Sequence, residues 1–214
     1  MDLKTHYRTR FKENLIKLQK QGNIYALDSN LTKSLDIFLQ DQIKNCKSNR
    51  PINILFYYPL PIEYDIRKIL NRYKKHKKIQ IFLPFMQGIS FKIVKYRLPL
   101  HKRTFGIYES GDSKLIITKL DFAIVPVIGI DQTFRRIGFG KGMYDRFFST
   151  LKTQPKTIFI CRALNLAYCN ITQPHDLHAN TFITPFAFLE FKGKSNDNLG
   201  FYRINPLRTF SRRR

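Results

Sequence analysis

Short runs of apolar residues alternate along the chain with segments of helical periodicity. The runs INILFYY at Ile52–Tyr58 and FAIVP at Phe122–Pro126 are almost wholly apolar, which is typical of strands buried on both sides of a sheet. Such strands occur in parallel sheets that helices cover on both faces. The alternation therefore predicts an α/β fold, a three-layer sandwich around a mostly parallel central sheet.

Apolar periodicity and proline positions predict where the elements begin and end. The predicted helices are Leu3–Gln21, Leu31–Ile43, Ile62–Tyr73 and Met143–Leu151. The predicted strands are Ile52–Tyr58, Ile79–Leu83, Phe91–Tyr96, Leu115–Ile117, Phe122–Pro126, Ile128–Ile130, Thr157–Cys161 and Thr181–Ile183. Pro59 and Pro61 are expected to end the first of these strands and Pro84 the second, because proline has no N–H to donate to a sheet.

The chain divides into a body and a basic end. Its 214 residues are enough for one domain with a core of its own. We assign residues 1–192 to this α/β domain and residues 193–214 to a basic C-terminal tail. The segment KGKSNDN at this boundary has linker composition, and the chain ends in three consecutive arginines.

The distribution of apolar residues and cysteines argues against a membrane-spanning or secreted protein. No run of 18 apolar residues is present, and the N-terminus lacks the apolar block of a secretory signal. The cysteines, Cys46, Cys161 and Cys169, are odd in number and widely spaced, which suits a reducing compartment. These features predict a cytoplasmic protein without a membrane partner, and we expect it to be a monomer.

The formal net charge of +23 favours polyanionic partners. One alternative is a basic, non-enzymatic protein that binds nucleic acid. The basic residues are spread along the chain, however, and no nucleic-acid recognition motif is present. We therefore expect no obligatory nucleic-acid partner, and solvated surface charge remains the simpler interpretation.

The segment VPVIGIDQTFRRIGFGKGMYDRFF, Val125–Phe148, carries the strongest functional signal. A buried strand leads through basic residues to a glycine loop, and an amphipathic helix follows. Glycines let backbone N–H groups approach a phosphate, and Lys141 and Arg136 supply charge. Asp145 could hold Mg²⁺ together with phosphate oxygens, or could only complement the helix dipole. The spacing is neither Walker A nor Rossmann, so a tight turn with a packing role stays open as an alternative.

This segment resembles the 5-formyltetrahydrofolate cyclo-ligase family, also called methenyltetrahydrofolate synthetases. The family carries a strand ending in proline, an aspartate and a loop of the form R-(L/I)-G-x-G-x-G-(Y/F)-Y-D. The order of weaker features agrees over about Lys4–Phe191. They are Lys4 and Arg8 on the first helix, Glu63 in PLPIEYDI, the segments LPFMQG and FGIYES, and Asp176 in PHDLHANTFIT.

The resemblance implies an enzyme that cyclises 5-formyltetrahydrofolate to 5,10-methenyltetrahydrofolate, with ATP as co-substrate and Mg²⁺ as cofactor. It implies that Lys141 and Arg136 are catalytic. It places the nucleotide at Lys4, Arg8, Arg136, Gly138, Phe139, Gly140, Lys141, Gly142, Met143 and Tyr144. It places the folate at Tyr58, Glu63, Phe139 and Tyr144, and Mg²⁺ at Asp145 and Asp176.

The sequence departs from the family pattern at a few positions, and other functions remain open. The departures are Ser110, Phe134, Met143, Asn180 and Pro185. Because none of them removes the loop lysine or the two aspartates, we expect an active enzyme. A sugar-phosphate or acyl-transfer enzyme on a similar sheet is a further alternative. His175 and His178, with Asp176 between them, suggest a zinc site, but the histidine pair lacks a third ligand at convincing spacing.

Overall fold

The computed structural model describes residues 2–46, 49–103, 106–112 and 119–191. The helices are α1 (Leu3–Lys20), α2 (Ile24–Asn45), α3 (Arg67–Lys74) and α4 (Met143–Ser149). The strands of the main sheet are β1 (Ile52–Leu55), β2 (Ile79–Gln87), β3 (Ser90–Lys95), β6 (Phe122–Pro126), β9 (Lys156–Ile160), β11 (Thr181–Ile183) and β12 (Phe188–Glu190). The shorter strands are β4 (His101–Lys102), β5 (Tyr108–Glu109), β7 (Gly129–Asp131), β8 (Arg136–Ile137) and β10 (Leu166–Ala167).

The main sheet has the order β12-β11-β9-β6-β1-β2-β3. Neighbouring strands from β11 across to β2 are parallel, and the edge strands β12 and β3 are antiparallel to their neighbours. The prediction of an α/β fold with a mostly parallel central sheet is therefore confirmed. In addition, β10, β7 and β8 form a small sheet, and β4 pairs with β5.

Successive side chains of the strands point to opposite faces of the sheet, where they pack into two apolar clusters. Val125 and Phe159 pack with Phe11 of α1 and Phe148 of α4. On the other face, Ile124 belongs to the cluster that includes residues of α2 and α3. Both faces of the central strands are thus covered, which explains why their sequences lack a polar face.

Two predicted boundaries around the first strand are wrong. The strand ends at Leu55, and the helix predicted to begin at Ile62 begins at Arg67. The residues between them form a turn, in which Leu60 N–H donates to the Glu63 carboxylate over 2.9 Å and Tyr57 Oη donates to the carbonyl of Tyr64 over 2.9 Å. These side-chain bonds compete with helical pairing, so the apolar periodicity there was misleading.

Other differences have equally local causes. Pro84 does not end β2, which runs on to Gln87. Beyond Phe82, β2 is paired with β3 alone, and proline is tolerated in a strand with a free edge. The second helix begins earlier than predicted, at Ile24. The predicted strand Leu115–Ile117 and the basic tail, residues 193–214, lie outside the described residues.

None of the helices in the described ranges combines the length and the apolar composition that a membrane span requires.

Candidate active site

Two cavities lie side by side near the glycine loop. The first, the cationic cavity, has a volume of about 340 Å³ and is lined by Lys4, Arg8, Arg136, Gly138, Asp145 and Asp176. The second, the aromatic cavity, has a volume of about 260 Å³ and is lined by Tyr58, Glu63, Tyr108, Phe139, Lys141 and Tyr144. The structure therefore brings the predicted site residues together at one place, divided between two adjoining compartments.

Arg136 lies between the two cavities and lines both. Its side chain is 7% exposed, its Nε donates to the carbonyl of Pro126 over 3.3 Å, and its Nη1 lies 3.9 Å from Oδ2 of Asp145. The guanidinium carbon lies 4.8 Å from the centre of the Tyr144 ring. A fixed positive charge thus faces both compartments, where groups bound in each could meet.

The glycine loop follows β8, since a β7–β8 hairpin intervenes after the buried strand β6. Gly140 and Gly142 have φ angles of +93° and +61°, backbone conformations that residues with a Cβ atom rarely adopt. The Arg8 Nε donates to the carbonyl of Gly138 over 3.0 Å, and Arg146 donates to the carbonyl of Lys141. The loop conformation therefore depends both on its glycines and on two arginines from helices.

The first helix contributes the far wall of the cationic cavity. Lys4 and Arg8 are one turn apart, so both side chains project from the same face of α1. Lys4 Nζ pairs with Asp176 Oδ2 at 2.6 Å, although 172 residues separate them in the sequence. In this arrangement Lys4 and Asp176 neutralise each other's charge, whereas Arg8 bonds to the glycine loop.

The two aspartates predicted to hold Mg²⁺ line the same cavity. Asp145 Oδ1 accepts the N–H of Leu177 over 2.9 Å, and Oδ2 faces Arg136. Asp176 Oδ2 accepts from Lys4 and from the N–H of Gln173. Mg²⁺ is usually held by one or two carboxylates together with phosphate oxygens and water, so this donor set fits an ion shared with phosphate.

Protein ligands alone do not make a metal site within the described part of the chain. Across the described ranges, no group of three His, Cys, Asp or Glu side chains is placed to hold a metal ion. In particular, Asp176 is paired with Lys4, and the ring of His178 packs 4.6 Å from the ring of Phe191. Burial lowers the pKa of His178 to about 4, with Arg135 contributing in the same direction.

Glu63 is the acidic group of the aromatic cavity. One of its oxygens, Oε2, accepts the N–H of Leu60. Burial raises the pKa of Glu63 to about 7, although the Leu60 N–H and the guanidinium groups of Arg136 and Arg162 act to lower it. An apolar compartment with one carboxylate suits a flat, largely aromatic ligand that presents N–H donors.

Asp131 organises the segments behind the site and is fully buried. Its Oδ1 accepts from the N–H groups of Thr133 and Arg135 and from the Thr133 hydroxyl. Its Oδ2 accepts from the N–H groups of Ile171 and Thr172 and from the Thr172 hydroxyl. One carboxylate thereby joins the turn before Arg136 to the loop that leads to Asp176.

Sequence reasoning missed several residues that line the cavities. Arg146 and Ser149 follow Gly142 at helical spacing and line the cationic cavity with His175. The i, i+4, i+7 spacing after a phosphate loop could have indicated the first two. Met86, Phe91, Ile107 and Tyr108 complete the aromatic cavity from β2, β3 and the segment around β5. Only the fold brings these last residues to the loop.

The departures from the family pattern have defined places. Met143 lines the aromatic cavity, where the resemblance predicts an aromatic wall. Phe134 is fully buried with φ of +57°, and its ring lies 5.6 Å from that of Phe191.

The other three departures lie outside the two cavities. The Ser110 hydroxyl accepts the N–H of Arg97 and donates to the Arg97 carbonyl. The Asn180 side chain accepts the N–H of Thr157. Pro185 lies in the turn between β11 and β12.

A family model and two solved structures relate the chain to the same group of proteins. The sequence model of the 5-formyltetrahydrofolate cyclo-ligase family matches residues 4–184. The 5,10-methenyltetrahydrofolate synthetase of Aquifex aeolicus has a similar fold, with a TM-score of 0.71 and 21% identity over 91% of this chain and 96% of that one. The synthetase of Mycoplasma pneumoniae has a TM-score of 0.64 and 21% identity over 86% and 99%. No curated protein sequence matches the chain significantly.

Proposed function

The chain belongs to the 5-formyltetrahydrofolate cyclo-ligase family, and on this premise we propose that it converts 5-formyltetrahydrofolate and ATP into 5,10-methenyltetrahydrofolate, ADP and phosphate. The observation that carries the proposal is the pair of adjoining cavities, one cationic and one aromatic, with Arg136 facing both. A reaction that joins a nucleotide phosphate to a folate requires two such compartments in contact.

In the proposed arrangement, the triphosphate of ATP occupies the cationic cavity. Lys4, Arg8 and the loop around Gly140 supply the positive charge and the close backbone approach that phosphate needs. Asp145 and Asp176 would hold Mg²⁺, which would neutralise phosphate charge when bound. Lys4 is then expected to exchange Asp176 for a phosphate oxygen.

The pterin of the folate occupies the aromatic cavity. Tyr58, Phe139 and Tyr144 offer ring surfaces, and Glu63 accepts N–H donors of the pterin. The formyl oxygen then attacks the γ-phosphorus, and ADP leaves. N10 attacks the activated formyl carbon and loses its proton, and phosphate departs as the five-membered ring closes. Arg136 and Lys141 stabilise the charge that develops on the transferring phosphoryl group.

An absorbance assay tests the proposal. Purified protein with saturating 5-formyltetrahydrofolate, ATP and Mg²⁺ is expected to form methenyltetrahydrofolate, and omission of ATP or addition of excess EDTA is expected to stop the reaction. The controls are a reaction without enzyme and one in which ADP replaces ATP. An unchanged absorbance in the complete mixture would reject the activity.

We predict that Lys141→Ala lowers kcat about a hundredfold and changes the KM for the folate much less. A transition-state charge contact contributes roughly 3 kcal/mol, and each 1.36 kcal/mol is a tenfold change in rate. The side chain is exposed, so its truncation removes no core packing. Steady-state kinetics with Lys152→Ala as the matched exposed control would check this. An unchanged kcat would mean that Lys141 is only a turn residue.

We predict that Glu63→Gln raises the KM for the folate about tenfold and leaves the KM for ATP nearly unchanged. The ionised carboxylate accepts N–H donors at both oxygens, whereas the amide offers one acceptor. Because the pKa of Glu63 is about 7, the wild-type KM for the folate should rise as pH falls below that value. The Glu63→Gln variant should lack this rise, and exposed Glu13→Gln should retain it. An effect on ATP alone would place the two substrates in the opposite cavities.

The same ionisation gives a check that needs no substrate. The folded-state pKa of Glu63 lies above the ordinary value of 4.5, so the native state binds protons more tightly there. Stability is therefore expected to fall through this group as pH rises from about 4.5 to 7. Denaturation of the free protein should show Glu63→Gln gaining stability relative to wild type over that range.

A further inference from the structure

A buried ion pair lies behind the turn that carries Glu63. Arg162, which follows β9, donates from Nε and Nη2 to the two carboxylate oxygens of Asp28 on α2, each over 2.7 Å. The Arg162 side chain is 6% exposed and that of Asp28 is 17% exposed. Burying two charges is costly unless their geometry is good and their other polar atoms are paired, so the remaining contacts indicate what the pair holds.

These remaining contacts go to the turn. Arg162 Nη1 donates to the carbonyl of Pro61 over 3.3 Å, and the N–H of Asp65 donates to Oδ2 of Asp28 over 3.4 Å. Glu63 lies midway between Pro61 and Asp65. The ion pair is therefore attached to the backbone on both sides of Glu63.

The pair is also close enough to influence the charge of Glu63. Arg162, Glu63 and Tyr64 line one small cavity behind the aromatic one. Burial raises the pKa of Glu63, and the guanidinium of Arg162 acts against that rise together with Arg136. The ionisable groups that face Glu63 are Arg136 from β8, Tyr144 from α4, Tyr57 after β1, and Cys161 and Arg162 after β9.

We propose that Asp28 and Arg162 are a positioning pair for folate recognition, which holds the Pro61–Asp65 turn so that the Glu63 carboxylate faces the aromatic cavity. Neither residue lines the cationic or the aromatic cavity, so the pair acts through the turn. The identity of the ligand at Glu63 rests on the proposed function. The contact between the pair and the turn does not.

The double variant Asp28→Asn with Arg162→Met tests the proposal. Both charges are removed together, because a single substitution would leave one buried charge without its partner. We expect the KM for the folate to rise about tenfold, since small displacements of a binding group have large effects, and kcat and the KM for ATP to change less than twofold. The acid limb of kcat/KM for the folate should also move to higher pH. Arg162→Lys keeps the positive charge but loses the planar guanidinium that bonds both oxygens of Asp28. It should therefore raise the KM for the folate without moving the acid limb of the kcat/KM profile.

A second readout needs no substrate. The amide of Glu63 is bonded within the turn to the carbonyl of Leu60, and that of Phe56 is bonded to the sheet. In the double variant, hydrogen exchange of the Leu60 and Glu63 amides should accelerate about tenfold, and that of Phe56 should not change. Arg50→Met is the matched control. Arg50 forms a bidentate ion pair with Asp121 before the first residues of β1 and β6, at the end of the sheet opposite to the turn. This variant should leave both readouts unchanged.

The outcomes separate the two hypotheses. Unchanged exchange at the turn together with an unchanged folate KM would overturn the positioning role. So would exchange that accelerates equally at Phe56 and the turn, because that result indicates only general destabilisation. Wild-type protein without cyclisation activity would reject the proposed function alone, and exchange at the turn would then decide whether the pair positions Glu63.

Discussion

Arg136→Met is expected to lower kcat by about three orders of magnitude. The guanidinium lines both cavities and is 7% exposed, so it is a preorganised charge between the two proposed substrates. A preorganised charge at the reacting group contributes roughly 4 kcal/mol at the upper end of measured values, or about a thousandfold. Steady-state kinetics would measure the loss, and circular dichroism would establish that the variant folds.

Gly138→Ala tests the same position without removing the arginine. A Cβ atom at residue 138 would overlap the guanidinium of Arg136, which would have to leave the position held by the Pro126 carbonyl and the Tyr144 ring. The variant should fold with a displaced Arg136 and lose kcat about a hundredfold. Gly111→Ala is the matched control, because no atom lies within 4 Å of its added Cβ, and it should retain full activity. If Arg136→Met and Gly138→Ala both retained the wild-type kcat, Arg136 would have no part in the mechanism.

Asp131→Asn is expected to lower the free energy of unfolding by about 3–5 kcal/mol. The carboxylate is fully buried and accepts six hydrogen bonds, three at each oxygen. Asparagine replaces one oxygen with an NH₂ group that faces donors, and each buried donor left unpaired costs roughly 1–3 kcal/mol. Urea denaturation followed by circular dichroism would measure the change, with exposed Asp41→Asn as control.

The functional consequence of Asp131→Asn should follow from the segments that it joins. The turn before Arg136 and the loop before Asp176 would no longer be tied together. The variant that remains folded at low temperature should therefore have a raised KM for ATP. Thr133→Val removes only the hydroxyl contact and should cost about 1 kcal/mol. A change below 1 kcal/mol in Asp131→Asn would show that the network does not hold the site.

The sequence by itself determined the fold class and the segment on which the candidate site is built. Continuous apolar runs identify β6, β9 and β11, because strands covered on both faces need no polar side. The glycine spacing identifies the loop, since Gly140 and Gly142 adopt φ values that other residues avoid. These are local preferences of the backbone and of burial, and a single sequence records them directly.

The tertiary structure alone decided which distant residues meet. Lys4 reaches Asp176, Arg162 reaches Asp28, and β2 passes through Pro84, because sheet order and register place these segments together or leave an edge open. Likewise, the division of the site into two cavities with Arg136 between them depends on how the loop packs against α1 and the turn at Glu63. Local patterns specify burial and backbone conformation, whereas contacts across more than a hundred residues depend on packing that no local pattern encodes.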